Sequence, residues 1–472
     1  MNVSSATTPD KATLTTGADS DAWAVIGGGI LGMTLALRLA EAGKQVTIYE
    51  AAKHLGGLAD AWSVGHYVWD RHYHVTLLSD SHLRTLLREL ELDESMQWVE
   101  TKTGFFTDNQ LHSVSNSLEF LRFPPLRLHD KLRLAWTIWF GSKLKNWRRL
   151  EQIPVTTWLR KHSGQRTFEK IWLPLLRAKL GDNYQSTSAA FIWATIQRLY
   201  AARRTGLKKE MFGYLPGGYA RFLQQFQLRL AELGVELRCG ADIESITTSE
   251  IDGSDTASPL PATHLPRKQI KFAHGEAAWA DHVVLTVPSP VVAQVLPQLK
   301  QDERQRHEHI EYQGLVCASV LLRKPLSEFY VVNITDDGIP FTGVIEMTAL
   351  VDRQCFGGHA LVYLPKYVPA HDPILTTPDD VIQCDFLDGL CRMYPDLDPH
   401  RDVIAFKISR VRHVMALSTL GYSTKLPAQQ TYVPGVSVVN SAQIVNGTLN
   451  VNETIRLAET AARNLLGTRT AR

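Results

Sequence analysis

Apolar and polar positions along the chain switch between two periods, and each switch marks an element. Residues 24–26 are a short apolar run ahead of three glycines, and Ile30–Glu41 repeats apolar residues at the spacing of an amphipathic helix. Residues 46–49 return to β-branched and aromatic types before Glu50. The same helix-then-strand order recurs at residues 219–233 and 235–238, with Gly217-Gly218 as the turn before the helix and Gly234 as its stop. Between these two units the periodicity is mostly helical, at 80–92, 126–147, 167–179 and a run through Leu199, with short strands across 97–112. Strands dominate later, at 270–272, 282–287, 311–325, 330–334, 341–346 and 359–364, where Pro365 reads as a stop. A helix follows at 378–394, a strand at 436–439 and a final helix at 451–466. This order predicts an α/β chain in which a helical lobe and a strand-rich region interrupt a dinucleotide-type domain.

The glycines give the first unit its chemistry. Gly27, Gly29 and Gly32 fit G-x-G-x-x-G: Gly27 allows the tight turn, Gly29 lets backbone approach a pyrophosphate, and Gly32 lets helix and strand close together. The helix from Ile30 directs free amides and the positive end of its dipole at that phosphate, with Ile30 and Leu31 as its first residues. Glu50 ends the next strand, where a carboxylate accepts both ribose hydroxyls and repels a 2′-phosphate. Alone, the fingerprint suits NAD and FAD equally.

A second glycine pair narrows the choice. Gly56-Gly57 follows Glu50 and Lys53, then come the small apolar Leu58-Ala59 and a strand-like Tyr67-Val68-Trp69 running into Asp70-Arg71-His72-Tyr73-His74. This two-part pattern resembles the flavin-dependent amine oxidase and phytoene desaturase superfamily, which includes protoporphyrinogen oxidases and, more distantly, UDP-galactopyranose mutases. Lys53 stands where the family more often has arginine. The stretches KTGFF, LRFPPL, WLPLLRAKLGD and GYLPGGYARF look like a bacterial desaturase-like branch. The resemblance implies a Rossmann-like, glutathione-reductase-like FAD domain built from separated segments, with a mixed α+β substrate domain and a helical lobe. It implies FAD contacts at Gly27, Gly29, Ile30, Leu31, Glu50, Lys53, Gly57, Leu58 and Ala59, and at Ile243 beside the adenine. On the return segment it implies contacts at Asn440, Ser441, Asn450 and Val451, with Asn440-Ser441 replacing the family's Gly-Asp. Asn446, Gly447 and Asn452 are further candidates there, against a reading in which the asparagines only cap the turn and helix.

The expected organisation is a leader at 1–20, FAD-binding segments at 21–95, 211–298 and 408–472, and substrate-domain segments at 96–210 and 299–407. The leader lacks the basic start and apolar run of a signal peptide. Composition is that of a globular protein, 44% hydrophobic and 21% charged with a net charge of +2, which makes no case for nucleic acid. The five cysteines form no C-x-x-C pair, so neither a zinc site nor a disulfide framework is expected, and a reduced cytoplasm is the simplest setting.

Residues 117–149 interleave Trp136, Trp139, Phe140 and Trp147 with lysines and arginines. They read either as an ordinary buried helix face or as a lipophilic channel or membrane-facing patch. Arg148-Arg149, Arg203-Arg204, Lys208-Lys209, Arg410, Arg412 and His413 are candidates for an anionic group, or plain surface charge. A polar, turn-rich excursion is expected at 249–267.

For chemistry, the resemblance sets Arg71, His72, Tyr73 and His74 on the flavin side as catalytic candidates, with no single base chosen. Either histidine titrates near neutrality or merely holds a structural hydrogen bond, and two histidines do not make a metal centre. The leading expectation is FAD-dependent oxidation or desaturation of a hydrophobic, isoprenoid or polyprenyl-linked substrate, by hydride transfer to flavin N5. The alternatives are redox-neutral, mutase-like chemistry on a sugar or lipid-linked sugar, and an interaction protein stabilised by FAD. The membrane surface and the oligomeric state stay open.

Overall fold

Five strands, in the order Glu236–Cys239, Gln45–Glu50, Ala22–Ile26, His282–Leu285 and Val436–Val438, pair in parallel to form the sheet that carries the glycine turn. The computed structural model describes residues 21–203, 211–248, 266–445 and 449–467. The leader at 1–20, Arg204, Lys208-Lys209, most of the 249–267 excursion and Asn446-Gly447 lie outside the described residues. Helix Ile30–Glu41 is flanked by helices Val451–Leu465 and Gly218–Glu232. It is therefore buried on nearly all sides instead of amphipathic, with Leu31, Met33, Leu35, Leu37 and Leu39 inside one core. Its Arg38 reaches Glu41, Glu89 and Glu459 at 2.8–3.2 Å, which ties three helices together.

A second, seven-stranded sheet forms the substrate side, in the order Val403–Ala416, Tyr312–Leu322, Ala360–Pro369, Gly343–Glu346, Val331–Ile334, Thr103–Thr107 and Gln110–Ser113. Pro365 does not end its strand. Its carbonyl accepts from Thr342 N at 2.7 Å, so its missing N–H faces that same side, and the ladder to Tyr312–Leu322 loses no bond. Val403–Ala416 is one continuous strand of this sheet, so the substrate side extends past the boundary expected at 407/408. A small sheet of Thr76–Leu77, Met211–Tyr214 and Gln97–Glu100 stitches three of the expected segments together.

The lobe is helical, with two departures from its pattern. The helix expected over 167–179 divides into Gln165–Thr167, a π-helical turn at Phe168–Trp172 and Leu173–Leu180. Pro174 is the cause, because it brings no N–H for the preceding turn and its ring crowds the carbonyl there. The second departure is Leu128–Lys143, where Leu128, Leu132, Trp136 and Trp139 are 62, 62, 53 and 46% exposed. The side facing the lobe carries Asp130, Leu134, Thr137 and Gly141 instead. Its polar groups are satisfied: Trp172 Nε1 donates to Ser163 Oγ, which donates to Thr137 Oγ1 at 3.0 Å. The tryptophans of this helix are not an ordinary buried face.

Candidate functional site

The cradle is made of backbone. Gly27 has φ +108°, the turn that sends the chain from Ala22–Ile26 into the helix. A Cβ on Gly32 would sit 1.9 Å from the Gly27 carbonyl oxygen, which is the close approach the motif anticipates. At Gly29 a Cβ would meet only the Cα of Gly57, at 4.0 Å, so the two glycines leave a groove floor bare of side chains. A bridge pairs Gly29 with Gly56, whose N–H donates to Gly28 O at 2.8 Å. No side chain caps the N-terminus of Ile30–Glu41, which leaves its first amides available to an anion.

Glu50 lies at the end of its strand as expected. One oxygen accepts from Gly28 N at 2.6 Å and the other from Ala52 N at 2.9 Å, which fixes the carboxylate and leaves lone pairs for ribose hydroxyls. Gly28 is a residue the fingerprint overlooks. A Cβ there would strike Leu55 at 2.3 Å, and the middle glycine of GGG was the signal. Ala241 N donates to Glu50 O, and Ile243 follows, half-buried against Tyr49. Lys53 is exposed, and Gly57–Ala59 forms a single tight turn across the groove.

The return segment divides its roles. Asn440 is buried, with Nδ2 donating to Val287 O at 2.9 Å and Oδ1 accepting from Ala442 N at 3.1 Å. Asn450 Oδ1 accepts from Glu453 N, capping Val451–Leu465. Both asparagines therefore hold backbone, while Ser441 lines a cleft. Phe191, Ala194, Met415, Tyr422 and Leu449 line the same cleft, between helix Ala189–Arg203 and the end of Val403–Ala416. Opposite Met415 in register, the buried Gln313 amide has no hydrogen bond among the described residues. Sequence reading missed it inside an otherwise apolar strand.

The Asp70–His74 stretch is drawn together, but its groups are occupied. His72 Nδ1 donates to Leu58 O at 3.1 Å, because a carbonyl only accepts, and Nε2 then accepts from Ser409 Oγ at 3.0 Å. Burial lowers its pKa to about 4. His74 is lowered to about 3, first by burial and then by His72, and its Nδ1 stands 3.9 Å from Asp70 Oδ2 without a hydrogen bond. Asp70 accepts from Tyr219 N at 2.6 Å at the start of Gly218–Glu232, and burial raises its pKa to about 7. Asp70, His74 and Tyr219 border a cavity of about 20 Å³, room for one water molecule. Tyr73 Oη and Tyr367 Oη hydrogen-bond at 2.9 Å, Lys179 Nζ lies 3.7 Å from the Tyr367 ring centroid, and burial raises Tyr73 well above the usual phenol range. Arg71 is ion-paired to Asp60 and lies over the Trp62 ring. Arg410 pairs with Asp379 at 2.6 Å, Arg412 donates to Ala370 O, and His413 packs edge-on against Tyr312. Among the described residues no cluster of three metal-ligating side chains occurs.

A parallel sheet with a side-chain-free glycine groove, an uncapped helix and a fixed acid on the next strand defines a dinucleotide-binding protein. The split domain and second glycine pair make it a flavoprotein. The chain belongs to the flavin containing amine oxidoreductases, whose family model matches residues 32–466. The cofactor that goes with membership is FAD, and the groove fits its pyrophosphate. The zeta-carotene desaturase of a Synechocystis strain is 26% identical over 269 residues, 50% of this chain and 53% of that protein. The chain thus spans little more than half the length of this curated relative. A candidate protoporphyrinogen oxidase from Exiguobacterium superposes with a TM-score of 0.73 at 20% identity, over 96% of this chain and all of that one. A reduced UDP-galactopyranose mutase superposes at 0.71 and 15% identity, over 96% and 97% of the two chains. At such identities the two structures share the fold alone. The mixed architecture agrees with the α/β class expected from the sequence.

Proposed function

We propose that the protein is an FAD-dependent oxidoreductase that oxidises or desaturates a hydrophobic substrate, isoprenoid or polyprenyl-linked, as a cytoplasmic protein working at a membrane surface. The observation that carries the reading is the apolar cleft of Phe191, Ala194, Met415 and Leu449, which opens where the return segment meets the helical lobe. The space is small, about 20 Å³, but its lining is apolar and among the described residues holds no charged side chain, a chemistry that suits a hydrocarbon better than a phosphorylated sugar. The relatedness to a zeta-carotene desaturase supports the same class of substrate. Among the described residues no helix is long and apolar enough to cross a membrane, so access to lipid rests on a surface contact.

Gly27, Gly29, Ile30, Leu31, Gly57, Leu58 and Ala59 hold the pyrophosphate and the adjoining flavin through backbone, Glu50 the ribose, and Ile243 the adenine. When bound, FAD supplies the two-electron acceptor that takes a hydride from a substrate carbon. Asn440 and Asn450 act by shaping the backbone that Ser441 and Val451 present. Of the four residues nearest the flavin side, His72 holds the Leu58 carbonyl and Arg71 anchors Asp60, so both orient the second glycine turn. Tyr73 keeps its proton at neutral pH, hydrogen-bonded to the Tyr367 hydroxyl, and His74 stays uncharged against Tyr219. None of the four serves as a strong base.

The test is anaerobic mixing of the holo-protein with zeta-carotene and with polyprenyl lipids, read by flavin absorbance and product mass. The expected result is bleaching with loss of two hydrogens. A product of unchanged mass and rearranged connectivity, formed only with pre-reduced FAD, would overturn it in favour of mutase-like chemistry.

A further inference from the structure

Helix Leu128–Lys143 is built inside out. Its exposed stripe, Leu128, Leu132, Trp136 and Trp139, recurs at i, i+4, i+8 and i+11, one face of an α-helix, and is far more apolar than the side it buries. The preceding helix Ser117–Arg122 adds Leu118 and Leu121, 56 and 50% exposed. Burying polar and small groups while showing water two tryptophans and four leucines is unfavourable unless something apolar covers them.

The charges say what covers them. Between Leu118 and Leu150 the exposed ionised side chains are Arg122, Arg127, Arg133, Lys143, Lys145, Arg148 and Arg149, whereas Glu119 is half-buried and Asp130 buried. An apolar stripe whose own segment exposes only cations is the complement of an anionic lipid headgroup layer over acyl chains, with tryptophan at the depth where its ring settles. The position of the stripe agrees. The helix backs directly onto Ala189–Arg203, with Gly141 against Ile196 and with Gln197 Nε2 donating to Gly141 O at 2.9 Å. That second helix supplies Phe191 and Ala194 to the cleft.

We infer that Ser117–Arg122 and Leu128–Lys143 form a monotopic docking face for an anionic bilayer. The stripe enters the interface, the arginines and lysines engage headgroup phosphates, and the cleft lies one helix behind the lipid. This deepens the proposed lipophilic substrate and rests on that reading, but its test requires no turnover, so the two fail separately.

The full-length holo-protein is floated with vesicles of phosphatidylcholine alone and with 30% phosphatidylglycerol. Tryptophan quenching by brominated acyl chains is read on the same samples. The expected result is binding at least tenfold stronger to the anionic vesicles, lost in high salt, with quenching of the native tryptophans. Leu132→Glu/Trp136→Glu should weaken binding at least tenfold with the FAD content unchanged. Arg148→Glu/Arg149→Glu, which leaves the stripe whole, should abolish the preference for phosphatidylglycerol. Equal binding by the variants, or failure of the wild type to bind either vesicle, would overturn the inference. So would a concentration-dependent dimer that hides the stripe, seen by sedimentation, because a second copy would then be its cover.

Discussion

In the cofactor cradle every contact is internal: apolar residues lie inside, glycines remove side chains where backbone meets backbone, and Glu50 and His72 use both their polar ends within the protein. In helix Leu128–Lys143 the polar and small residues lie inside and the apolar ones face out. Each region is built around one apolar-rich helix, so secondary-structure pattern alone does not tell them apart. The difference is one of partner. The cradle is complementary to itself and to a phosphate, the lobe helix to something outside the chain.

The sharpest way to break the comparison is at the glycines. Gly32→Ala places a Cβ 1.9 Å from backbone oxygen that cannot swing away, and should cost about 3 kcal/mol or more in urea unfolding. Gly29→Ala meets nothing closer than 4.0 Å; it should leave stability nearly unchanged while FAD affinity, followed by flavin fluorescence, falls about tenfold, roughly 1.4 kcal/mol. Equal effects of the two changes would mean that the groove is not the pyrophosphate floor.

A second test uses pH. The His72 pKa is about 4 when folded, against 6.5 for the free side chain, so the unfolded chain binds the extra proton between those values. The stabilising contribution is full above pH 6.5 and is lost as pH falls toward 4. The stability difference between wild type and His72→Gln should shrink by about 1.4 kcal/mol per pH unit there, roughly 2 kcal/mol by pH 5. Taking the difference cancels Asp70, whose raised pKa acts in the opposite sense. A flat difference would mean that His72 is not held neutral.

The smallest effect is expected on the lobe. Leu128→Gln/Leu132→Gln should change unfolding stability by less than about 0.5 kcal/mol, because both side chains are already 62% exposed. A loss of several kcal/mol would show that the stripe packs within the protein after all.

Much of the cradle was legible in advance because its residues are close in sequence. Gly27, Gly29, Gly32, Glu50 and Gly56-Gly57 fall within thirty-one residues, and local spacing fixes their geometry. The partners that silence His72 and Tyr73 were not legible. Ser409 and Tyr367 arrive from strands of the second sheet, about three hundred residues away, and no local period announces them. Pro365 was misread for a related reason: whether a proline ends a strand depends on which neighbour its nitrogen faces. The Trp-rich helix shows a third limit. The sequence marked its tryptophans among lysines and arginines, but only packing decides which side of a helix is inside.

The order of the parallel sheet sets a timetable for synthesis. Its middle strand Ala22–Ile26 and the neighbouring Gln45–Glu50 emerge near the start of the chain, yet Glu236–Cys239, His282–Leu285 and Val436–Val438 follow after long interruptions, and Val451–Leu465 covers Ile30–Glu41 last of all. Until then the nascent chain carries a half-built apolar helix with no lid, the kind of long-range closure that folds slowly and invites chaperones. A fragment ending before Val436 lacks both the last strand of the sheet and the helix over Ile30–Glu41, and is expected to retain no flavin.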